Sequence, residues 1–199
     1  MGTGFGKGQG SPRFFKNRDQ LLNRFYMEKN IILTGFMGAG KTSVGAWLSR
    51  LSGRELIDTD HEIEEYEGMS IPDIFAAKGE AAFRDMETAE LRRLLGREGP
   101  FILSCGGGVP LRGENRKLLA SLGVVYYLVV TPETVMRRLK GDVSRPLLQG
   151  EDALTRIRSL MDERKAYYKG AANVSVDADF GSSKSTAKQI LRIHESIEK

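Results

Sequence analysis

The chain has 199 residues, 40% hydrophobic and 28% charged, an ordinary composition for one globular domain with enough material for a buried core. No apolar run approaches the roughly 18 residues that a membrane span needs, and the single cysteine, Cys105, excludes an intramolecular disulfide and fits a reducing compartment. The net charge of +4 sits in the first 29 residues, where Lys7, Arg13, Lys16, Arg18, Arg24 and Lys29 oppose Asp19 and Glu28; a neutral remainder argues against a nucleic-acid surface.

Residues 1–29 read as a glycine-rich and basic extension, expected to be disordered over MGTGFGKGQG and with a helical pattern around Leu21–Met27. The segment is not serine-rich and lacks an apolar secretory core, so a dispensable extension is favoured over a transit peptide. Residues 30–199 are expected to form a single domain. It begins with NIILTGFMGAGKTS, Asn30–Ser43. Here the apolar run Ile31-Ile32-Leu33 breaks into a turn in which Gly35 through Gly40-Lys41-Thr42 satisfies G-x-x-x-x-G-K-[ST], the phosphate-binding loop pattern. Gly35, Gly38 and Gly40 admit the backbone torsions and close approach that let successive N–H groups wrap phosphate oxygens. Lys41 can reach the terminal phosphates and the Thr42 hydroxyl can ligate Mg²⁺. Val44, Trp47, Leu48 and Leu51 follow at i, i+3, i+4 and i+7, so a helix opens where the motif requires one.

The body then alternates. Glu55–Asp58 predicts a second strand, and helical patterns cover His61–Tyr66, Ile71–Lys78 and Glu80–Leu95. Phe101–Ser104 is the third strand and the apolar run Val124–Val130 a fourth, buried on both faces. Pro132 leads a helix over Glu133–Lys140, a longer helix spans about Glu151–Tyr168, a short strand covers Asn173–Val176, and a last helix runs over about Lys184–Ile197. Five strands alternating with helices predict an α/β fold, a five-stranded parallel sheet with helices on both faces.

Chemistry gathers at the strand ends. Asp58 and Asp60 close the second strand, where open α/β sheets place ligands, and in an extended segment both carboxylates project to one side. One could hold Mg²⁺ and the other accept a substrate hydroxyl; a helix N-cap before His61 explains the same residues equally well on spacing alone. The third strand ends in Ser104-Cys105-Gly106-Gly107-Gly108, with no acidic residue, which leaves Asp58 as the natural metal candidate. Three glycines after a buried strand point to backbone approaching a ligand rather than to a plain turn, and Cys105 reads as a small buried side chain. For Arg84, flanked by Glu80 and Glu87, the sequence favours a solvated ion-pair face. Arg164 shares the apolar stripe of Leu154, Ile157, Met161 and Tyr168, and an inward guanidinium calls for an anion: a ligand first, with Glu87 as the structural alternative. In GDVSRPLLQG, residues 141–150, Arg145 suits a lid over a phosphoryl-transfer site, with an exposed turn as the alternative. Arg138 faces nucleotide or water, and His61 and His194 are expected on the surface.

In order, GFMGAGKTS, LIDTDHEIE, SIPDIFAAKGEAAFRDMET, LSCGGGV, SRPLL and MDERKAYY make the chain resemble the shikimate kinases over about Asn30–Leu191. The resemblance implies a P-loop fold of the nucleoside monophosphate kinase type, with a substrate-binding helical insertion at about 60–95 and a lid at about 141–150. It implies phosphorylation of the 3-hydroxyl of shikimate by ATP with Mg²⁺, on the route through chorismate to aromatic amino acids. Gly38, Ala39, Gly40, Lys41, Thr42, Ser43, Arg138 and Arg145 would bind nucleotide, and Thr42 and Asp58, the latter directly or through water, the metal. Asp60, Arg84, Gly106, Gly107, Gly108 and Arg164 would hold shikimate, Arg84 and Arg164 at its carboxylate, with Lys41, Asp60 and Arg145 catalytic. A cytoplasmic monomer is expected, taking a small molecule and neither nucleic acid nor membrane as partner. Asp177–Thr186, DADFGSSKST, departs from the family pattern in length and lack of proline, and no adenine contact is assigned there. The rivals are a related kinase acting on gluconate or a nucleoside monophosphate, and a non-catalytic nucleotide switch; intact Lys41, Asp58, Asp60 and Arg145 oppose the second.

Overall fold

The computed structural model describes residues 29–140 and 152–197. The extension of residues 1–28, the segment 141–150 and Arg145 with it lie outside the described residues. Five parallel strands, β1 (Asn30–Thr34), β2 (Glu55–Asp58), β3 (Phe101–Ser104), β4 (Gly123–Val129) and β5 (Val174–Asp177), form one sheet in the order β2-β3-β1-β4-β5. Seven α-helices accompany them among the described residues: α1 (Lys41–Ser52), α2 (Thr59–Glu67), α3 (Ile71–Leu94), α4 (Gly113–Leu122), α5 (Pro132–Arg138), α6 (Ala153–Ala171) and α7 (Ser183–Ser196). None of these helices is long and apolar enough to cross a membrane.

The sheet is covered on both faces because its central strands β1, β3 and β4 are apolar on both faces. Ile31 and Leu33 of β1 point to one side and pack with Val44 and Leu48 of α1 and Ile190 of α7. Ile32 points to the other and packs with Leu91 and Leu94 of α3 and Leu119 of α4. Burying one such side chain contributes roughly 1.5–3 kcal/mol, so the central strand is held from both layers. Asn30 locks its start: Nδ2 donates to Leu122 O at 2.8 Å and Oδ1 accepts from Phe101 N at 2.9 Å. A separate small cluster of Ile63, Ile74 and Phe83, with the Phe75 ring tilted 38° to that of Phe83 at 4.8 Å, holds α2 to α3. The predicted break between two helices at residue 79 is present inside α3, where Gly79 adopts φ 79° and ψ 171°.

Several expectations need correction. Helix α4 was not anticipated, and β4 begins one residue before the predicted run. Leu51 is 41% exposed rather than on the core face of α1, lying in the last turn of a helix that ends at Ser52. His194 is not on the surface: it is 4% exposed, its Nδ1 lies 2.9 Å from the Tyr126 hydroxyl, and burial pushes its pKa down to about 4. The expected surface position holds for His61, which faces Glu65 one helical turn on.

Candidate active site

The carboxyl ends of β1, β2 and β3 lie side by side, and the three loops that leave them line a cleft of about 230 Å³ that includes Lys41, Thr42, Asp58, Asp60, Ser104 and Gly107. The β1 loop turns through Gly38 (φ 74°) and Gly40 (φ 94°), left-handed positions that a side chain would strain, and Gly40 then opens α1. Lys41 Nζ donates to the Gly35 and Phe36 carbonyls at 2.9 and 3.1 Å, so the ammonium lies folded along its own loop. Arg138 ties the loop down from behind. Its Nη1 donates to the Gly38 and Ala39 carbonyls at 3.2 and 3.0 Å, and its Nη2 to Ala178 O at 2.7 Å. In the protein alone Arg138 therefore joins the phosphate loop to the segment after β5.

Asp58, rather than Asp60, is the helix N-cap, and it also reaches the phosphate loop. As N-cap of α2 its Oδ1 accepts from Asp60 N at 3.1 Å, while Oδ2 accepts from the Thr42 hydroxyl at 2.9 Å. Ser104 Oγ stands 3.5 Å from the same hydroxyl. The expected extended geometry for Asp58 and Asp60 is wrong, since α2 starts at Thr59, yet both carboxylates line the cleft. The first helical turn carries Asp60 over the site, a placement that i, i+2 alternation does not describe.

The glycine triplet packs against charge. A Cβ on Gly106 would collide with Asp60 Oδ1 and come within 3.1 Å of Glu87 Oε1, and one on Gly108 would collide with the Arg84 guanidinium. Gly107 is looser, with its nearest neighbour, Met37 N, 3.6 Å from a built Cβ. The strip is fixed by Thr59 Oγ1, which accepts from Gly106 N at 2.8 Å, and by the Tyr168 hydroxyl, which donates to Gly107 O at 2.7 Å.

Arg84 is not on a solvated face. Its side chain is 14% exposed and bonds Glu87 Oε2 and Glu80 Oε1, each at 2.9 Å, while the Glu87 side chain is 1% exposed. Burial pushes Glu87 up to about 7 against the pull of Arg84, with the Asp60 charge adding to the push. Since Glu87 pairs with Arg84, it is not the partner of Arg164. Arg164 Nε is buried without a hydrogen-bond partner among the described residues, and its guanidinium lies 6.0 Å from the Phe36 ring. Burial pushes the Tyr168 phenol up to about 12, opposed by the charges of Arg164 and Arg84, so both guanidinia sit around the hydroxyl that holds Gly107. Cys105 is buried as expected, with its thiol pushed up by burial.

Sequence reasoning missed three contributors: Thr59, Tyr168 and Glu87. For the last two the helical spacings Arg164 to Tyr168 and Arg84 to Glu87 were available; for Thr59 nothing in the sequence signals that its hydroxyl reaches a glycine 47 positions on.

A family model described as shikimate kinase matches residues 37–195. The shikimate kinase of Caldicellulosiruptor bescii is 42% identical over 166 residues, 83% of this chain and 95% of that protein. Among solved structures, shikimate kinase from Acinetobacter baumannii in complex with shikimate is 39% identical, with a TM-score of 0.81 over 88% of this chain and 98% of that one. The enzyme from Aquifex aeolicus is 34% identical, with a TM-score of 0.74 over 84% and 97%. With the parallel sheet, the phosphate loop and these likenesses in hand, the chain belongs to the shikimate kinase family.

Proposed function

We propose that this protein transfers the γ-phosphoryl group of ATP to the 3-hydroxyl of shikimate, yielding ADP and 3-phosphoshikimate. The observation that supports this reading best is the meeting, beside one phosphate cradle, of Asp60, a glycine strip and two guanidinia around Tyr168. Arg84 and Arg164 take the acceptor's carboxylate, for which their planar forks are the matching donors. The orphaned Nε of Arg164 is one such donor waiting for an anion. With the carboxylate anchored, the ring lies along Gly106–Gly108, and a hydroxyl reaches Asp60, which stands against Gly106. Asp60 orients that hydroxyl in line with the γ-phosphorus and receives its proton as the new P–O bond forms and the bond to the β,γ-bridging oxygen breaks.

On the donor side the loop N–H groups and the start of α1 bind the phosphate oxygens, and Lys41 exchanges the Gly35 and Phe36 carbonyls for the charge developing on the terminal phosphates. The Thr42 hydroxyl and Asp58 carboxylate, already 2.9 Å apart, are hard oxygen donors of the kind that hold Mg²⁺ together with waters and substrate phosphates. Mg²⁺ held there would supply charge neutralisation for the transferring phosphoryl group. Arg138 supports the nucleotide side through the loop it ties down. Arg145 enters this reading from its sequence context alone, as a donor to the transferring group. We read the protein as a cytoplasmic monomer.

A coupled ADP-release assay over shikimate, gluconate, AMP and CMP tests the proposal. Turnover is expected with shikimate; its absence, with turnover on another acceptor, would replace it.

A further inference from the structure

We propose that Glu87 takes up a proton from solvent when the acceptor's carboxylate binds, with Oε1 as the atom that receives it. This inference rests on the shikimate-kinase reading of the site. Glu87 is the most enclosed carboxylate there: its side chain is 1% exposed, Oε2 is engaged by Arg84 Nη1, and Oε1 is buried with no hydrogen-bond partner among the described residues. Oε1 and Asp60 Oδ1 converge on one point, the position a Cβ on Gly106 would occupy. Two carboxylates thus press on the same glycine from α2 and α3.

The groups facing Glu87 are few. Arg84, on its own helix, is already shared with Glu80. Arg112, from the turn before α4, also bears on it but bonds Asp85 Oδ1 at 2.6 Å. Asp60 faces it from α2, and the Cys105 thiol lies nearby after β3. Both cations are therefore divided among several anions before any substrate arrives. A substrate carboxylate adds a further negative charge and displaces water. If Arg84 keeps Glu87, a third anion crowds one guanidinium; if Arg84 turns to the substrate, Glu87 loses its hydrogen-bonded cation in a dry environment. Either course favours the neutral acid. Burial has already brought Glu87 to about 7 in the unliganded protein, so the added charge carries it across neutrality. The orphan Oε1 gains a proton and ceases to be a buried bare acceptor.

The consequence is that acceptor binding is linked to pH and weakens in alkaline solution, while nucleotide binding is not so linked. Isothermal titration of the full chain with shikimate, in buffers of contrasting ionisation enthalpy, reads the protons taken up. We expect roughly half a proton near pH 7.5, shrinking toward zero near pH 5.5 where Glu87 is protonated throughout. In Glu87→Gln the uptake at about pH 7.5 should vanish while shikimate still binds. Binding without buffer dependence in the wild type, or equal uptake in Glu87→Gln, overturns the inference and leaves the proposed function standing. No binding of shikimate in any buffer overturns both. Should Glu87→Gln not fold, the wild-type Glu87 carboxyl carbon, followed by NMR at about pH 7.5, should move toward its protonated position when shikimate is added. An unmoved resonance overturns the inference.

Discussion

The phosphate loop and the acceptor pocket share one sheet edge but differ in material. The loop is backbone, folded within residues 35–43 and bound by carbonyls and N–H groups that any sequence with the right glycines supplies. The acceptor pocket is side chains, gathered from α2, α3, the β3 loop and α6, and its glycines matter as space for charged neighbours. The loop rests on β1, buried from both layers, whereas α2 and the part of α3 beside it are held by their own small cluster of Ile63, Ile74 and Phe83. A donor cradle built into the rigid centre and an acceptor pocket on a more independent unit can be altered separately.

The sharpest separation comes from Lys41→Ala. It should cost transfer roughly 10³-fold in the ADP-release assay while shikimate affinity, measured by calorimetry, stays near wild type. A loss below tenfold would mean that the loop's backbone suffices without its ammonium. Arg84→Ala should do the reverse, removing roughly 2–5 kcal/mol of shikimate affinity with ATP affinity retained. An unchanged shikimate affinity would take Arg84 out of the pocket.

Smaller changes probe the glycine strip. A Cβ on Gly108 meets only the flexible end of Arg84, so Gly108→Ala should leave the melting temperature almost unmoved and raise the shikimate KM roughly tenfold. Gly107→Ala, with its nearest neighbour at 3.6 Å, should leave that KM near wild type. Equal behaviour of the two variants would show that backbone freedom, and not room for Arg84, is what the triplet provides.

The smallest net effect is in stability against pH, where two buried groups oppose each other. The folded pKa of Glu87, about 7, lies above its ordinary 4.5, so its contribution is complete below about pH 4.5 and lost as pH rises through 7. That of His194, about 4, lies below its ordinary 6.5, so its contribution is present above about pH 6.5 and lost as pH falls through 4. Each amounts to about 3 kcal/mol, and between about pH 4.5 and 6.5 they run in opposite directions. Denaturant midpoints of the wild type should vary less across that window than those of Glu87→Gln, which should rise with pH, or His194→Gln, which should fall. Parallel curves for all three would refute the opposition.

Much of this architecture was legible in the chain. The three central strands, β1, β3 and β4, could be read from apolar runs, because parallel strands buried on both faces leave that signature; the half-exposed edge strands β2 and β5 were legible only as short segments between helices. The loop was legible because its atoms are neighbours in sequence. Arg164 was legible too, as a charge on an apolar stripe. Arg84 was misread because i, i+4 spacing to Glu80 describes a solvated pair and carries no information on burial; the packing of α3 against Gly108 supplies that. His194 was misread for the same reason, with Tyr126 lying 68 positions away.

Short-range periodicity and local torsion in the chain were enough to set the strands, their parallel arrangement, the phosphate cradle and every helix but α4. Tertiary structure decided that Asp58 serves both the α2 cap and Thr42, that Thr59 and Tyr168 pin the glycine strip, and that Glu87 is buried beside Asp60. These depend on distances between residues tens of positions apart. Burial then raises the pKa of the Glu87 carboxyl, because removing water raises the cost of a charge that is incompletely paired.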